Sequence, residues 1–273
     1  MRVGVVAQRG NARAVALAAQ LEETLSAADV GVAFDPATAA DLDREETPVE
    51  AMADHDLVVS IGGDGTFLHA ARGVGTTPLV GVNLGEVGFL NAVTPDAAVD
   101  AVRTAVERAK SGSLDVRRVP RLAAEGEGWS LPASINEVVV QGPQRGHGGG
   151  VDVEIRVDGS LYNASRADGA MVATPTGSTA YNLSEGGPVV HHEVGGLVVT
   201  EMAATDPMPS LVVDTAATVT VRVDGADRAH VVGDGRVRET VTPPEAVDIS
   251  ASADPVCIAG PSVDFFRALE KLE

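Results

Sequence analysis

Cysteine and lysine are almost absent from this sequence. The only cysteine is Cys257, so no disulfide can form within the chain, and a reducing, cytoplasmic compartment is expected. Lys110 and Lys271 are the only lysines, and arginine supplies the other basic residues. No apolar run approaches the roughly 18 residues that a membrane span needs, and the N-terminus lacks the pattern of a signal peptide.

Acidic residues outnumber basic ones by 39 to 20, which gives a formal net charge of −19. This balance argues against nucleic acid and anionic membranes as partners, because both require a basic surface. Two interpretations stay open: an acidic regulator of basic proteins, or a globular enzyme from a high-salt cytoplasm. The acidic residues are scattered rather than clustered and lysine is nearly absent, which favours the enzyme from a high-salt cytoplasm.

The first 110 or so residues alternate between strand and helix patterns. Short apolar runs at 3–7, 30–34, 57–61 and 79–82 indicate strands. Helical periodicity follows Asn11, a suitable cap, up to residue 29, and it returns at 95–110. This alternation predicts a doubly wound α/β domain with a mostly parallel sheet, here assigned to residues 1–112.

The remainder of the chain is predicted to be rich in β-structure. Residues 151–157 alternate apolar and polar side chains and meet the turn pair Asp158-Gly159, which indicates a hairpin. Further strands are expected at 218–223, 237–241 and 247–251. We therefore assign 113–260 to a β-rich domain, and expect a C-terminal helix at 261–273 to pack back on the first domain.

A glycine-rich loop follows the strand predicted at 57–61. Gly62, Gly63 and Gly65 surround Asp64, and Thr66 opens the next helix. Glycines let the backbone approach a ligand closely, and the start of a helix presents unpaired N–H groups to phosphate oxygens. A carboxylate in such a loop would serve to take a proton or to hold Mg²⁺. The alternative is a tight turn in which Asp64 caps the helix.

Several other catalytic motifs are absent. The sequence has no P-loop, no protein-kinase motif, no G-x-S-x-G nucleophile elbow and no C-x-x-C or H-E-x-x-H. His191-His192-Glu193 suggests a metal site, but adjacent histidines on extended backbone point apart. No metal site built from protein side chains is therefore predicted.

Residues 168–188 form a second polar segment. An apolar strand leads into Thr176, Ser178 and Thr179 around Gly177, and a short helix then ends at Gly-Gly-Pro. The hydroxyl groups could cap this helix and also bind ribose or phosphate oxygens. Tyr181 could stack on an adenine, or it could pack inward as part of the core.

Together these segments resemble the NAD kinase family. The resemblance rests on residues 62–66, on Asn83 to Leu90, on Asn136-Glu137, on 168–188 with its stretch Thr-Pro-Thr-Gly-Ser-Thr-Ala-Tyr, and on Asp234-Gly235. It spans nearly the whole chain. The Gly-Gly-Asp-Gly element alone would be weak, since lipid kinases and phosphofructokinases carry similar loops.

The resemblance implies Mg²⁺-dependent phosphoryl transfer from ATP or polyphosphate to the 2′-hydroxyl of the adenosine ribose of NAD. By it, Asp64 is the general base and Gly62, Gly63, Gly65 and Thr66 line the phosphate site. It assigns NAD binding to a larger set, in which the first two residues hold the diol of the nicotinamide ribose and the last four contact the adenine portion: Asn136, Glu137, Arg166, Asp168, Thr176, Ser178, Thr179, Ala180, Tyr181 and Ser184. Arg166 and Asp168 act partly across a subunit interface, so the implied assembly is a homodimer or homotetramer. The cation is bound through the donor phosphates.

One segment departs from the family pattern. Where a Pro-His-Thr-Leu-Ser-x-Arg-Pro-like stretch is expected, residues 203–211 contain neither histidine nor arginine. A non-catalytic dinucleotide-binding regulator therefore stays open, as does a lipid kinase, although the charge of −19 argues against membrane contact. Formation of NADP from NAD, ATP and Mg²⁺ would separate the three.

The acidic composition predicts a dependence on salt. We expect a higher melting temperature and higher activity in molar KCl or NaCl than at about 0.1 M salt, because screening reduces repulsion between surface carboxylates. Thermal unfolding followed over a salt series measures the effect. A melting temperature that stays constant or falls as salt rises would contradict the high-salt interpretation.

Overall fold

The computed structural model describes residues 1–85, 88–144, 146 and 150–270. Its chain divides into two compact units, Met1–Val119 with Asp254–Glu273, and Pro120–Ala253. Strands and α-helices are numbered here in chain order, β1 to β18 and α1 to α6. None of the helices in the described residues has the length and apolar character to cross a membrane.

The first unit contains a six-stranded sheet in the order β2-β1-β3-β4-β18-β5. The neighbours from β2 to β18 are parallel, and β5 is antiparallel to β18. The strands are β1 (Arg2–Ala7), β2 (Gly31–Phe34), β3 (Leu57–Gly62), β4 (Leu79–Asn83), β5 (Val116–Val119) and β18 (Val256–Ala259). The helices are α1 (Ala12–Ser26), α2 (Pro36–Leu42), α3 (Asp64–Gly73), α4 (Ala98–Lys110) and α6 (Phe265–Leu269), with 3₁₀ turns at Val49–Asp54 and Pro95–Ala97.

The predicted doubly wound fold of the first unit is confirmed. Asn11 caps α1, since its side-chain oxygen accepts hydrogen bonds from the backbone N–H groups of Arg13 and Ala14 at 3.0 and 3.4 Å. One face of the sheet packs against α1 and α4 in a core that includes Leu21, Val59 and Val102. Because side chains alternate along a strand, every second residue of β3 points to the opposite face.

The second unit is built from two antiparallel sheets. Their orders are β10-β9-β14-β17-β6-β7 and β13-β12-β11-β8-β15-β16. Apolar side chains from both sheets share one core. The strands are β6 (Leu122–Gly126), β7 (Trp129–Ser130), β8 (Glu137–Gln141), β9 (Val151–Val157), β10 (Ser160–Ala167), β11 (Gly169–Ala173), β12 (Leu197–Met202), β13 (Leu211–Val213), β14 (Val219–Asp224), β15 (Ala229–Gly233), β16 (Val237–Val241) and β17 (Glu245–Ala251), with a 3₁₀ turn at Gly177–Thr179 and helix α5 at Tyr181–Ser184. The β-rich character predicted for this part is confirmed, as is the hairpin at Asp158-Gly159, where both residues have positive φ.

The division between the units differs from the predicted limits of 112/113 and 260/261. β5 and β18 pair with each other in the first sheet, so the unit extends to Val119 and resumes at Asp254. The C-terminal helix is shorter than predicted, because Asp264 caps it by accepting the Arg267 N–H at 3.1 Å. Residues 271–273 of the predicted helix lie outside the described part. The ring of Phe265 contacts that of Phe89 within the first unit, with 5.9 Å between centroids.

Candidate functional site

The glycine loop lies where the sheet of the first unit changes winding direction. β1 and β3 are parallel neighbours. Helix α1 packs on the sheet face that bears Val59 and Ile61, whereas Gly62 lies against Thr66 of α3 on the other face. The carboxyl ends of two strands whose helices leave on opposite faces form a crevice, and open α/β sheets bind ligands there. The sequence therefore places its glycines at the ligand-binding edge of this sheet.

The three glycines of the loop differ in their surroundings. A Cβ on Gly62 would lie 2.4 Å from Thr66 Oγ1 and 3.0 Å from Gln8 Cβ, so the position admits only glycine. A Cβ on Gly63 or Gly65 would meet no described atom within 4 Å. Gly63 is the N-cap of α3, and the first N–H groups of a helix lack partners within the helix. The loop thus offers open backbone and helix N–H groups to an anionic ligand.

Asp64 does not cap the helix through its side chain, in contrast to the alternative weighed from the sequence. It is the first residue of α3, and its carboxylate instead accepts hydrogen bonds from residues that follow β4. Oδ2 accepts the Phe89 N–H at 3.2 Å, and Oδ1 accepts the Leu90 N–H and the Asn91 Nδ2–H, both at 3.4 Å. A Cβ on Gly88 would lie 2.3 Å from Oδ1. The turn at 88–91 therefore holds the half-buried carboxylate in one orientation; Glu86 and Val87 of the same motif lie outside the described residues.

In the second unit, Asn136 and Glu137 are held by Asp234. The Asp234 carboxylate accepts the backbone N–H groups of Ile135, at 3.0 and 3.1 Å, of Asn136 at 2.7 Å and of Glu137 at 3.3 Å. The Asp234 N–H donates in return to the Glu137 carbonyl at 3.0 Å. Asp234 has a positive φ of 47°, which directs its side chain back over this bend.

The Thr174–Gly177 turn contacts the same bend. Thr174 N–H donates to the Asn136 carbonyl at 2.9 Å, and Thr174 Oγ1 donates to the Ile135 carbonyl at 2.7 Å. A Cβ on Gly177 would lie 2.0 Å from the Asn136 oxygen, so only glycine fits there. The structure thus brings Asn136 and Glu137 together with the start of the predicted 176–184 segment.

The polar residues of that segment have unequal exposure. Ser178 is fully buried, and its hydroxyl donates to the Pro175 carbonyl at 2.6 Å and accepts the Val190 N–H at 3.0 Å, which indicates a structural role rather than ligand contact. Thr176, Thr179 and Ala180 are half-buried, and Ser184 is exposed.

Tyr181 packs against the core, which is one of the two roles weighed for it from the sequence. Its half-buried ring packs against Val139, Met171 and Met202, a small apolar cluster of the second unit. The contact fixes the ring in place, while part of its surface stays open. Stacking of the ring on an adenine therefore stays a prediction.

Arg166 and Asp168 lie beside the glycine-rich 142–150 segment, of which the structure describes 142–144, 146 and 150. Arg166 is exposed and forms an ion pair with Asp152 at 3.2 Å. It lines a shallow groove of about 420 Å³ together with Arg222 and Asp224. The Asp168 carboxylate accepts the Gly146 N–H at 2.9 Å.

The segment at 203–211, which departs from the family pattern, is anchored by Glu201. The Glu201 carboxylate accepts the Met208 N–H at 2.9 Å and the Asn163 side-chain amide at 2.9 and 3.0 Å. The Tyr162 hydroxyl donates to the Pro209 carbonyl. Burial, aided by the charge of Glu201, raises the pKa of Tyr162, so this phenol stays a hydrogen-bond donor. The segment is ordered by its own set of contacts, without the expected histidine and arginine.

The extended backbone predicted at His191-His192, with the two side chains pointing apart, is wrong. The chain turns there instead of running extended, and the two rings stack with 4.4 Å between centroids. Among the described residues, no group of three or more His, Cys, Asp or Glu side chains could hold a metal ion.

Two residues that fix the backbone of the site, half-buried Asp234 and buried Asn182, were not identified from the sequence. Asp234 was noted only as part of a motif, and Asn182 was given no role. Asn182 is fully buried; its amide donates to the carbonyls of Ser178 and Pro188 at 3.2 and 3.1 Å, and its oxygen accepts the Thr200 hydroxyl at 2.9 Å. A polar side chain within the Tyr-Asn-Leu-Ser helix was the available signal, but its partners are set by the tertiary fold.

Comparisons with known proteins agree with this architecture. Residues 3–109 match the ATP-NAD kinase N-terminal domain, and residues 135–259 match the ATP-NAD kinase C-terminal domain. The chain is 55% identical to a protein named NAD kinase from the halophilic archaeon Natronomonas pharaonis, over the full length of both.

Two solved structures share the fold. An NAD kinase from Archaeoglobus fulgidus in complex with ATP has a TM-score of 0.77 and 28% identity, covering 100% of this chain and 97% of that one. Yeast NADH kinase complexed with NADH has a TM-score of 0.85 over 100% of this chain and 87% of that one; at 19% identity this likeness concerns the fold alone.

Proposed function

The chain belongs to the NAD kinase family, and from this premise we propose how its residues divide the work of the reaction. The activity is phosphorylation of NAD with ATP as donor, which yields NADP. In our proposal the loop at 62–66 and Asp64 serve phosphoryl transfer, and residues of the second unit bind NAD. The observation that carries this division is the fixed Asp64 carboxylate in a glycine loop at the ligand-binding edge of the sheet.

Asp64 is the proposed general base. An alcohol is a poor nucleophile near neutral pH, so a carboxylate that accepts the 2′-hydroxyl proton assists attack of the oxygen on the γ-phosphorus. The bond from that phosphorus to the bridging oxygen breaks, and ADP leaves with the bond's electron pair. Phosphoryl transfer depends mainly on positioning and on charge stabilisation. The hydrogen bonds from 89–91 supply the positioning of the base.

The donor phosphates are assigned to Gly62, Gly63, Gly65 and Thr66. The open surroundings of Gly63 and Gly65 support this assignment, because phosphate oxygens can approach backbone N–H groups there. The Archaeoglobus relative in complex with ATP supports a nucleotide as donor. Polyphosphate presents the same phosphate chain to such a loop and is kept as an alternative donor.

Mg²⁺ is proposed to arrive with the donor phosphates. Mg²⁺ commonly binds through substrate phosphates, waters and one or two carboxylates rather than in a cage of protein ligands. The glycine loop fits this mode, since it places one carboxylate beside backbone that phosphate oxygens can approach. When bound, the ion would neutralise charge on the donor phosphates.

NAD binding is assigned to the second unit. Asn136 and Glu137, fixed by Asp234, are proposed to hold the diol of the nicotinamide ribose. Thr179, Ala180, Tyr181 and Ser184 are proposed to contact the adenine portion, with Thr176 nearby. Ser178 supports them from the interior, and Arg166 and Asp168 are retained near the substrate.

We further propose that the protein forms a homodimer or homotetramer and works in a salt-rich cytoplasm. Leu161 on β10 and Val212 on β13 are about half exposed, and both strands are sheet edges. Exposed apolar groups on edge strands are typical of contacts between chains. Cys257 is buried with a free thiol, in keeping with a reducing compartment. The halophilic archaeal relative supports the high-salt setting.

Tyr181 tests the adenine assignment. In Tyr181→Leu, which keeps apolar packing on Val139 and Met171, we expect the KM for NAD to rise at least about fivefold, because stacking on a base contributes about 1 kcal/mol or more. The KM for ATP should change little. Tyr162→Ala, in the other tyrosine of the chain, is the control and should leave the KM for NAD near wild type. Equal changes in both KM values for Tyr181→Leu would instead assign Tyr181 to the core.

Asp64→Asn tests the catalytic assignment. The variant keeps the shape and loses the base, so kcat should fall by at least about 10²-fold, while NAD binding weakens little. It should also lose about 1–3 kcal/mol of unfolding free energy, because the new amide group turns a donor toward N–H groups at 89–91. Steady-state rates, NAD titration and thermal unfolding measure these effects.

The control for that variant is Asp100→Asn. It makes the same charge change on the exposed surface of α4, where Asp100 forms an ion pair with Arg103, and should leave kcat unchanged. A near-normal kcat in Asp64→Asn would falsify the assigned role. Recovery of the lost rate by excess Mg²⁺ would instead reassign Asp64 as a metal ligand.

A further inference from the structure

A second polar side chain lies completely buried beside the proposed base. Asn91 has no exposed surface, and its Nδ2–H donates to Asp64 Oδ1 at 3.4 Å. It is packed tightly over β4, since a Cβ on Gly81 would lie 2.1 Å from Asn91 Oδ1 and 3.0 Å from its Cα. The position therefore fixes the amide as well as the backbone.

The burial of this amide is not explained by packing alone. Among the described residues, Asn91 Oδ1 has no hydrogen-bond partner, and neither has Ser60 Oγ, which belongs to the residue paired with Gly81 in the sheet. Unsatisfied buried polar atoms are costly and rare in folded proteins. An apolar side chain of the same size would fill the space without that cost, so the distinctive contribution of Asn91 is its N–H toward Asp64.

Only one orientation of the Asn91 amide allows a hydrogen bond to the Asp64 carboxylate. Turned about its Cβ–Cγ bond by half a turn, Asn91 would present its oxygen to the carboxylate, and two acceptors would face each other. Within the described residues, the observed orientation gives Oδ1 two donors, Leu90 N–H and Asn91 Nδ2–H, whereas Oδ2 receives only the Phe89 N–H. A carboxylate oxygen offers about two acceptor positions. Oδ1 is thus filled and Oδ2 has one position open.

We propose that Asn91 is a positioning residue for the phosphoryl transfer: it occupies Oδ1 of Asp64 and thereby leaves Oδ2 as the atom that receives the 2′-hydroxyl proton. The inference deepens the proposed function and rests on Asp64 being the base. The groups that contact the carboxylate from the 88–91 turn carry no charge, and within the described residues Asp64 has no ion pair. Its orientation therefore depends on these hydrogen bonds.

The test replaces Asn91 by leucine, which has a similar volume and no N–H. We expect kcat to fall about tenfold or more, because small misplacement of a catalytic group is costly. The KM values for NAD and ATP should change less than about twofold. The acid limb of the kcat–pH profile should move to higher pH, because the charged carboxylate loses a donor. Asn91→Asp, which sets a second carboxylate beside the first, should move that limb further.

Ser60→Ala is the matched control. Ser60 is equally buried in the neighbouring strand but does not contact Asp64, so its loss should leave both kcat and the pH profile unchanged. If leucine prevents folding, Asn91→Ala removes the same donor without apolar bulk, and the same two measurements apply. An unchanged kcat and pH profile in the folded Asn91 variant would overturn the proposal, as would an equal loss in Ser60→Ala.

Asp64→Asn, measured in parallel, separates this proposal from the one on which it rests. A near-normal rate in Asp64→Asn removes Asp64 as base and with it the role given to Asn91. A large loss in Asp64→Asn with wild-type behaviour in Asn91→Leu rejects only the positioning role.

Discussion

The candidate catalytic site depends on the hydrogen bonds that the turn after β4 donates to the Asp64 carboxylate. Asp64 begins α3, and its two carboxylate oxygens accept hydrogen bonds from the backbone N–H groups of Phe89 and Leu90 and from the side-chain amide of Asn91. Parallel pairing of β3 and β4 brings the two segments to the same edge of the sheet. Gly62 and Gly88 are required by the same approach, because a side chain at either would collide with Thr66 or with Asp64.

The second unit uses a carboxylate in the same manner for a different purpose. Asp234 accepts three successive backbone N–H groups and so shapes the bend at Ile135, Asn136 and Glu137. Its Oδ1 alone accepts all three N–H groups, which suits a structural residue. As far as the described residues show, Asp64 keeps one acceptor position open on Oδ2, which suits a residue that receives a proton. The two carboxylates differ in their surroundings: Asp234 lies against the backbone bend at 135–137, whereas Asp64 lies in the glycine loop beside the open positions Gly63 and Gly65.

The sequence predicted local features better than distant contacts. Strands β1 to β4 of the first unit, the cap of α1 by Asn11 and the hairpin at Asp158-Gly159 depend on neighbouring residues, and all were predicted, whereas β5 and β18 were not. The contact of Asp64 with 89–91 joins residues at least 25 apart, and that of Asp234 with 135–137 joins residues at least 97 apart. Such contacts are set by strand order, which local periodicity does not reveal. Because local periodicity does not reveal these contacts, the family could be predicted only from the resemblance of the motifs.

A crystal structure of the protein grown in molar salt with NAD bound tests the central claim most directly. The account predicts the 2′-oxygen of the adenosine ribose at hydrogen-bond distance, about 2.6–3.2 Å, from Oδ2 of Asp64. The hydrogen bonds from Phe89, Leu90 and Asn91 should remain in place. A 2′-oxygen bound to another side chain, with Asp64 still directed only at the 88–91 turn, would contradict it.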